Sequence, residues 1–237
     1  MVKKNMDQVD RILDKIDSLI YELSSVLLFG HKVTSELTKR AAIRSADYVE
    51  KNMPNVMVLS SDDKRLMWDT AVNKIKIDGH IAEFGVFEGE SINHLSKKIY
   101  PKTIFGFDSF LGLTEDYALD CPKGKFNLNG LPPIVNDNVE LVTGFFSDTL
   151  PNWLKDNPGP FSFLNIDCDT YNSTSFVLNS IGTNRIVPGT IILFDEYFGF
   201  HGWENHEFKA WQEYCKINNI KYRYIAVCHW QVLIEIL

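Results

Sequence analysis

The chain has 237 residues, 45% of them hydrophobic and 23% charged, a mix that excludes a largely disordered protein. Its net charge of −7 excludes a surface that is basic throughout and built for nucleic acid. Cys121, Cys168, Cys215 and Cys228 form no CxxC pair or zinc-knuckle spacing, and no apolar run reaches the ~18 residues of a membrane span. With Asp7, Asp10, Asp14 and Asp17 interrupting the start, no secretion signal is read there, and a cytosolic protein with reduced thiols is expected.

The first elements are helical. Val9, Ile12, Leu13, Ile16, Leu19, Ile20 and Leu23 recur at helical steps and form one apolar face, suited to packing on the body of the fold or to a dimer or lid helix. Helices are predicted near 36–52 and 62–77, with Ser61-Asp62-Asp63 as the cap of the second. The style changes near Asp78. Short runs rich in Ile, Val and Phe follow at 81–84, 103–107, 139–142, 161–166 and 190–194, with helical stretches between most of them. Such runs suit strands buried on both faces of a parallel sheet. Two closing strands, 222–227 and 231–236, are joined by too short a link for a parallel crossover and should pair antiparallel. The prediction is a Rossmann-like, doubly wound α/β fold. Its sheet has seven strands, mostly parallel with an antiparallel C-terminal hairpin. Residues 1–77 would form a helical lid or oligomerisation segment before a domain of 78–237. The unpatterned stretch 111–137, with Gly112, Pro122, Gly124, Gly130, Pro132 and Pro133, reads as a binding loop or lid.

Ligands of open α/β sheets bind beyond the carboxyl ends of the strands, so the residues after each strand carry the functional reading. Glu83-Phe84-Gly85-Val86-Phe87-Glu88-Gly89-Glu90-Ser91 is a strand, a glycine turn and a helix start. It is not the GxGxxG of a dinucleotide site, and its acidic residues disfavour phosphate. A ligand without phosphate and with a positive group fits better. Asp108 ends the second strand, roughly 20 residues past Gly85, the offset at which a carboxylate grips ribose hydroxyls. An N-cap is the alternative role. Asp167 and Asp169 follow the fourth strand, and Asp195 and Glu196 the fifth. So many converging carboxylates call for a cation, and a hard ion such as Mg²⁺ on Asp167, Asp195 and Glu196 would fit. Helix caps, or a hold on a cofactor's amino group, are the plainer roles. His201 lies in the loop after the fifth strand and suits either a general base or an ordinary loop position. Phe198, Phe200 and Trp203 suit a wall for a sugar face or core packing, Trp211 suits the core, and Glu207 is expected on a solvated helix start.

The ordered set of these motifs, with Gly106-Phe107-Asp108-Ser109-Phe110-Leu111-Gly112-Leu113, Gly144-Phe145-Phe146-Ser147 and Pro188-Gly189-Thr190 leading to Asp195-Glu196-Tyr197, resembles the class I S-adenosylmethionine-dependent methyltransferases. More narrowly it resembles the macrocin O-methyltransferase (TylF/MycF-like) group over roughly residues 78–237. The resemblance implies O-methylation of a sugar hydroxyl with Mg²⁺ in the site. The acceptor would belong to a natural product, a nucleotide-linked sugar or a polysaccharide precursor. It implies that Glu83, Phe84, Gly85, Val86 and Ser91 shape the methionine end of the cofactor pocket. Asp108, Ser109 and Phe110 would hold ribose and adenine, Phe145 and Ser147 the adenine's other side, and Asp167 would also touch the cofactor. Asp167, Asp195 and Glu196 would carry the metal, and Asp167, Asp169 or His201 would take the proton. Base-amine methyltransferases of similar fold place Asn/Asp-Pro-Pro-Tyr/Phe where Asp167-Cys168-Asp169-Thr170 stands, so no nucleic-acid acceptor is expected. A homodimer or higher homo-oligomer is expected. An NAD-type oxidoreductase and a non-catalytic nucleoside-binding module are the rival readings.

Overall fold

The computed structural model describes Lys15 and residues 33–60, 64–117 and 121–237. The apolar stripe from Val9 to Leu23 and the Ser61-Asp62-Asp63 cap lie outside the described residues. Contacts group the chain into two units, Met1–Arg40 and Ala41–Leu237.

The sheet has eight strands, in the order β1-β7-β8-β6-β5-β2-β3-β4. They are β1 (Met57–Val58), β2 (His80–Phe84), β3 (Ile104–Asp108), β4 (Val139–Thr143), β5 (Phe161–Ile166), β6 (Ile191–Phe194), β7 (Tyr222–Cys228) and β8 (Gln231–Ile236). All neighbours are parallel except β6–β8 and β7–β8. The seven expected strands are present, and β1 is an eighth. It pairs Met57 with Ala226 and Val58 with Val227, two exposed residues with no pattern of their own.

The helices are α1 (Val33–Asn52), α2 (Arg65–Val72), α3 (Glu90–Ile99), α4 (Phe146–Asp156), α5 (Tyr171–Ile181) and α6 (Glu207–Asn218). Among the described residues no helix is long and apolar enough to cross a membrane. Residues 41–77 belong to the same unit as the sheet. In α2, Met67, Trp68 and Ala71 are buried, and β1 extends the sheet. The change of pattern near Asp78 therefore marks where strands become regular, while packing against the sheet begins earlier.

Alternation along the strands divides the core into two layers. Ala82, Phe84, Ile192 and Phe194 face the layer containing Leu150, Val177 and Trp211. Ile81, Ile191 and Leu193 face the other, with Met67, Trp68, Ile92 and Leu95. All six residues of β5 are buried, which is why it reads as one continuous apolar run. The strand order reverses at β2, where β3 lies on one side and β5 on the other. A crevice opens at such a switch point, above the carboxyl ends of the strands.

Candidate active site

A cavity of about 670 Å³ occupies that crevice. The turn after β2 forms part of its wall. Gly85 has φ +93°, and a Cβ there would lie 1.7 Å from the Asp167 carbonyl oxygen. Only glycine lets this turn lie against the end of β5. Gly89, with φ +80°, then starts α3. Asp108, at the end of β3, ties the turn down. Its Oδ2 accepts hydrogen bonds from the amides of Val86 (2.8 Å) and Phe87 (2.9 Å), and Oδ1 from that of Phe110 (2.7 Å). A carboxylate has about four acceptor sites, so gripping both hydroxyls of a ribose needs an amide bond to be given up.

Another part of the lining is acidic. Asp167, Asp169, Asp195 and Glu196 all line the cavity. One carboxylate oxygen each from Asp167, Asp195 and Glu196 lies within 4.8 Å of the others. Burial, and then repulsion from Asp195, pushes the Asp167 and Glu196 carboxyls well above the usual carboxylate range and Asp169 up to about 7. Glu196 Oε2 is buried without a hydrogen-bond partner among the described residues. Three hard oxygen donors this close, one of them orphaned, fit a divalent cation such as Mg²⁺. Lys64, at the entry to α2, already reaches the cluster: its ammonium is ion-paired with Asp195 Oδ2, and Gln231 Nε2 donates to Oδ1. Burial works against this ammonium, but Asp195, Glu196 and Asp167 outweigh it and hold its pKa above the ordinary lysine range.

Beneath the cluster lies Glu207, expected on a solvated helix start and found fully buried. It opens α6, and its carboxylate receives the amides of Cys168 (3.3 Å) and Glu196 (3.2 Å). One side chain thus joins the turns after β5 and β6. Burial, followed by repulsion from Asp169 and Asp195, raises its pKa strongly.

The structure brings Gly85, Val86, Ser91, Asp108, Ser109, Phe145, Ser147, Asp167, Asp169, Asp195 and Glu196 to the cavity wall. It turns others away. Phe84 shares the face of Ala82 and stacks on Phe107 in the core. Phe110 is also a core residue, contributing its backbone amide to Asp108. Phe198, Phe200 and Trp203 pack in the core with Trp211, and line no part of this cavity. His201 is exposed at the surface, away from the cavity lining. Residue types alone gave no sign of Lys64, Phe126, Asn172 or Phe176 on the wall.

Glu83 is fully buried on β2, on the α3 side of the sheet. It accepts from Ser91 Oγ (2.8 Å) and Asn165 Nδ2 (2.9 Å). Burial outweighs these bonds and pushes its pKa from 4.5 up to about 8. A carboxyl with a raised folded-state pKa holds its proton more tightly when folded, so its contribution is intact below pH 4.5 and is lost as pH rises towards 8. Glu83→Gln is expected to be more stable than the parent at pH 8 by on the order of a few kcal/mol, with the difference vanishing near pH 4.5. Urea denaturation of both proteins across that range checks this; a constant difference would show that Glu83 does not titrate there.

The family described as Macrocin-O-methyltransferase (TylF) matches residues 63–234. No curated protein sequence matches the chain. Among solved structures, the chain is similar to apo CalS11, a TDP-rhamnose 3'-O-methyltransferase of calicheamicin biosynthesis. The TM-score is 0.55 and the identity 20%, over 87% of this chain and 96% of that one. It is also similar to the O-methyltransferase from Bacillus cereus in complex with SAH, with a TM-score of 0.50 and 15% identity over 92% and 97% of the two chains. At these identities the likeness is one of fold.

Proposed function

Because the chain belongs to the macrocin O-methyltransferase (TylF) family, and is thereby an S-adenosylmethionine-dependent O-methyltransferase, we propose that it methylates a sugar hydroxyl on a small molecule with the help of Mg²⁺. The observation that carries this reading is one cavity lined by two kinds of wall. A glycine turn tied down by Asp108 forms one part of the lining, and a carboxylate cluster of Asp167, Asp169, Asp195 and Glu196 forms another. The first wall suits the adenosyl part of the donor. The second suits its sulfonium charge and a hydroxyl held beside a metal. CalS11, similar in fold, is named for a sugar hydroxyl acceptor.

Methyl transfer from sulfur is an in-line displacement, so the protein must align acceptor oxygen, methyl and sulfur. On this reading Asp108 fixes the ribose, and the Gly85 turn lets the donor lie close to the backbone. Asp167, Asp195 and Glu196 would hold Mg²⁺, which when bound lowers the pKa of a coordinated hydroxyl and orients it. We assign the proton to Asp169: it lines the cavity beside Asp167, whereas His201 stands off the wall. The reading keeps the expectation of a cytosolic homo-oligomer without a nucleic-acid partner.

The test is methyl incorporation from labelled S-adenosylmethionine into a panel of free, nucleotide-linked and natural-product sugars, with and without EDTA. The expected result is transfer to a hydroxyl of one sugar class, loss of turnover in EDTA and recovery with Mg²⁺. Transfer to no sugar, or turnover indifferent to EDTA, overturns the corresponding part.

A further inference from the structure

The carboxylate cluster contains its own cation. Lys64 is ion-paired with Asp195 Oδ2 while Gln231 holds Oδ1, so both oxygens of a candidate metal ligand are engaged. The two partners differ in how they are held. Gln231 is fully buried on β8 in mid-sheet. Lys64 enters at the start of α2 on a half-exposed, flexible four-carbon stem, and its ammonium is readily hydrated. Lys64 is therefore the partner able to leave. Something must balance a carboxylate at Asp195, which is 2% exposed, because an uncompensated charge at such depth is costly. An ammonium and a divalent ion cannot share one carboxylate oxygen, since their mutual repulsion at contact distance is large even at protein-surface dielectric.

We propose that Lys64 is a resident counter-ion of the site, seated on the Asp195 oxygen a divalent metal uses and displaced when that metal binds. This rests on the metal-assisted reading above and goes beyond it. The metal-free enzyme holds Asp195 in place with its own lysine, and the affinity for the metal is set by competition with that lysine. Lys64 acts as a positioning residue for the ligands.

The test is Mn²⁺ binding to the full chain, followed by titration calorimetry and by loss of the free-ion electron paramagnetic resonance signal. The proteins are the parent, Lys64→Met, Lys64→Arg and Asp195→Asn. Removing the competing charge should tighten Mn²⁺ binding by about tenfold or more in Lys64→Met. Lys64→Arg, which keeps the charge, should stay close to the parent, and Asp195→Asn should bind at least about tenfold more weakly. If Lys64→Met does not fold, Lys64→Gln replaces it with the same expectation, since it too lacks the charge. Parent binding that Asp195→Asn weakens, but that the neutral variants leave unchanged or weaken, overturns the role of Lys64 and leaves the metal site standing. No binding by any protein, or binding that Asp195→Asn does not alter, overturns the metal reading and this proposal with it.

Discussion

Asp108→Ala is expected to abolish measurable S-adenosylhomocysteine binding. Two losses combine. On the proposed donor site, the ribose hydroxyls lose a charged acceptor, a bond worth about 1.5–3 kcal/mol. The amides of Val86, Phe87 and Phe110 lose the carboxylate that accepts all three, and each orphaned amide costs about 1–3 kcal/mol where water cannot reach it. Asp108 is only partly buried, so water satisfies some of them and the structural cost falls at the lower end. The turn nevertheless loses its tether to β3, and the donor's cradle is no longer preorganised. The combined effect is a Kd weakened by at least about a hundredfold. Asp108→Asn retains one good acceptor and should fall between the two. Calorimetric titration, with the ligand-induced rise in melting temperature as a second readout, checks the series. Unaltered affinity in Asp108→Ala would place the donor elsewhere in the molecule.

Glu207→Ala should lower kcat by at least about a hundredfold through a residue that touches no substrate, the scale expected when a small misplacement disturbs aligned groups. Its carboxylate holds the turn of Asp167 and Asp169 to the turn of Asp195 and Glu196, through the amides of Cys168 and Glu196. Alanine leaves both amides buried and unpartnered, for roughly 2–6 kcal/mol of lost stability. Some of that returns, because alanine is spared the cost of burying an acid beside Asp169 and Asp195. Glu207→Gln can still accept one of the two amides and should recover part of kcat. Steady-state kinetics with melting curves separates the possibilities. A variant that is less stable but turns over at the parent rate would show that Glu207 supports the fold alone.

The division between what was legible and what was not follows burial. β2, β3, β5 and β6 were readable because strands covered on both faces must be apolar along their whole length. Asp108, Asp167 and Asp195 were readable because a polar residue ending such a run stands at the mouth of the sheet. β1 was not, since its two exposed residues are made a strand only by Ala226 and Val227, far away in the chain. Phe84 and Phe110 sit within the right motifs, yet strand alternation and a left-handed φ of +56° at Phe110 send their side chains to the core.

The pattern of apolar runs and the residues that end them determined, without any coordinates, the parallel sheet, its antiparallel hairpin and an acidic site at its carboxyl edge. Which further charged residues stand against that site was decided only by tertiary structure. Lys64 and Glu207 both stand near the start of a helix, where the chain locally permits solvent exposure. Whether such a group is hydrated, ion-paired or buried depends on what distant segments set opposite it, and here those segments are the ends of β5 and β6.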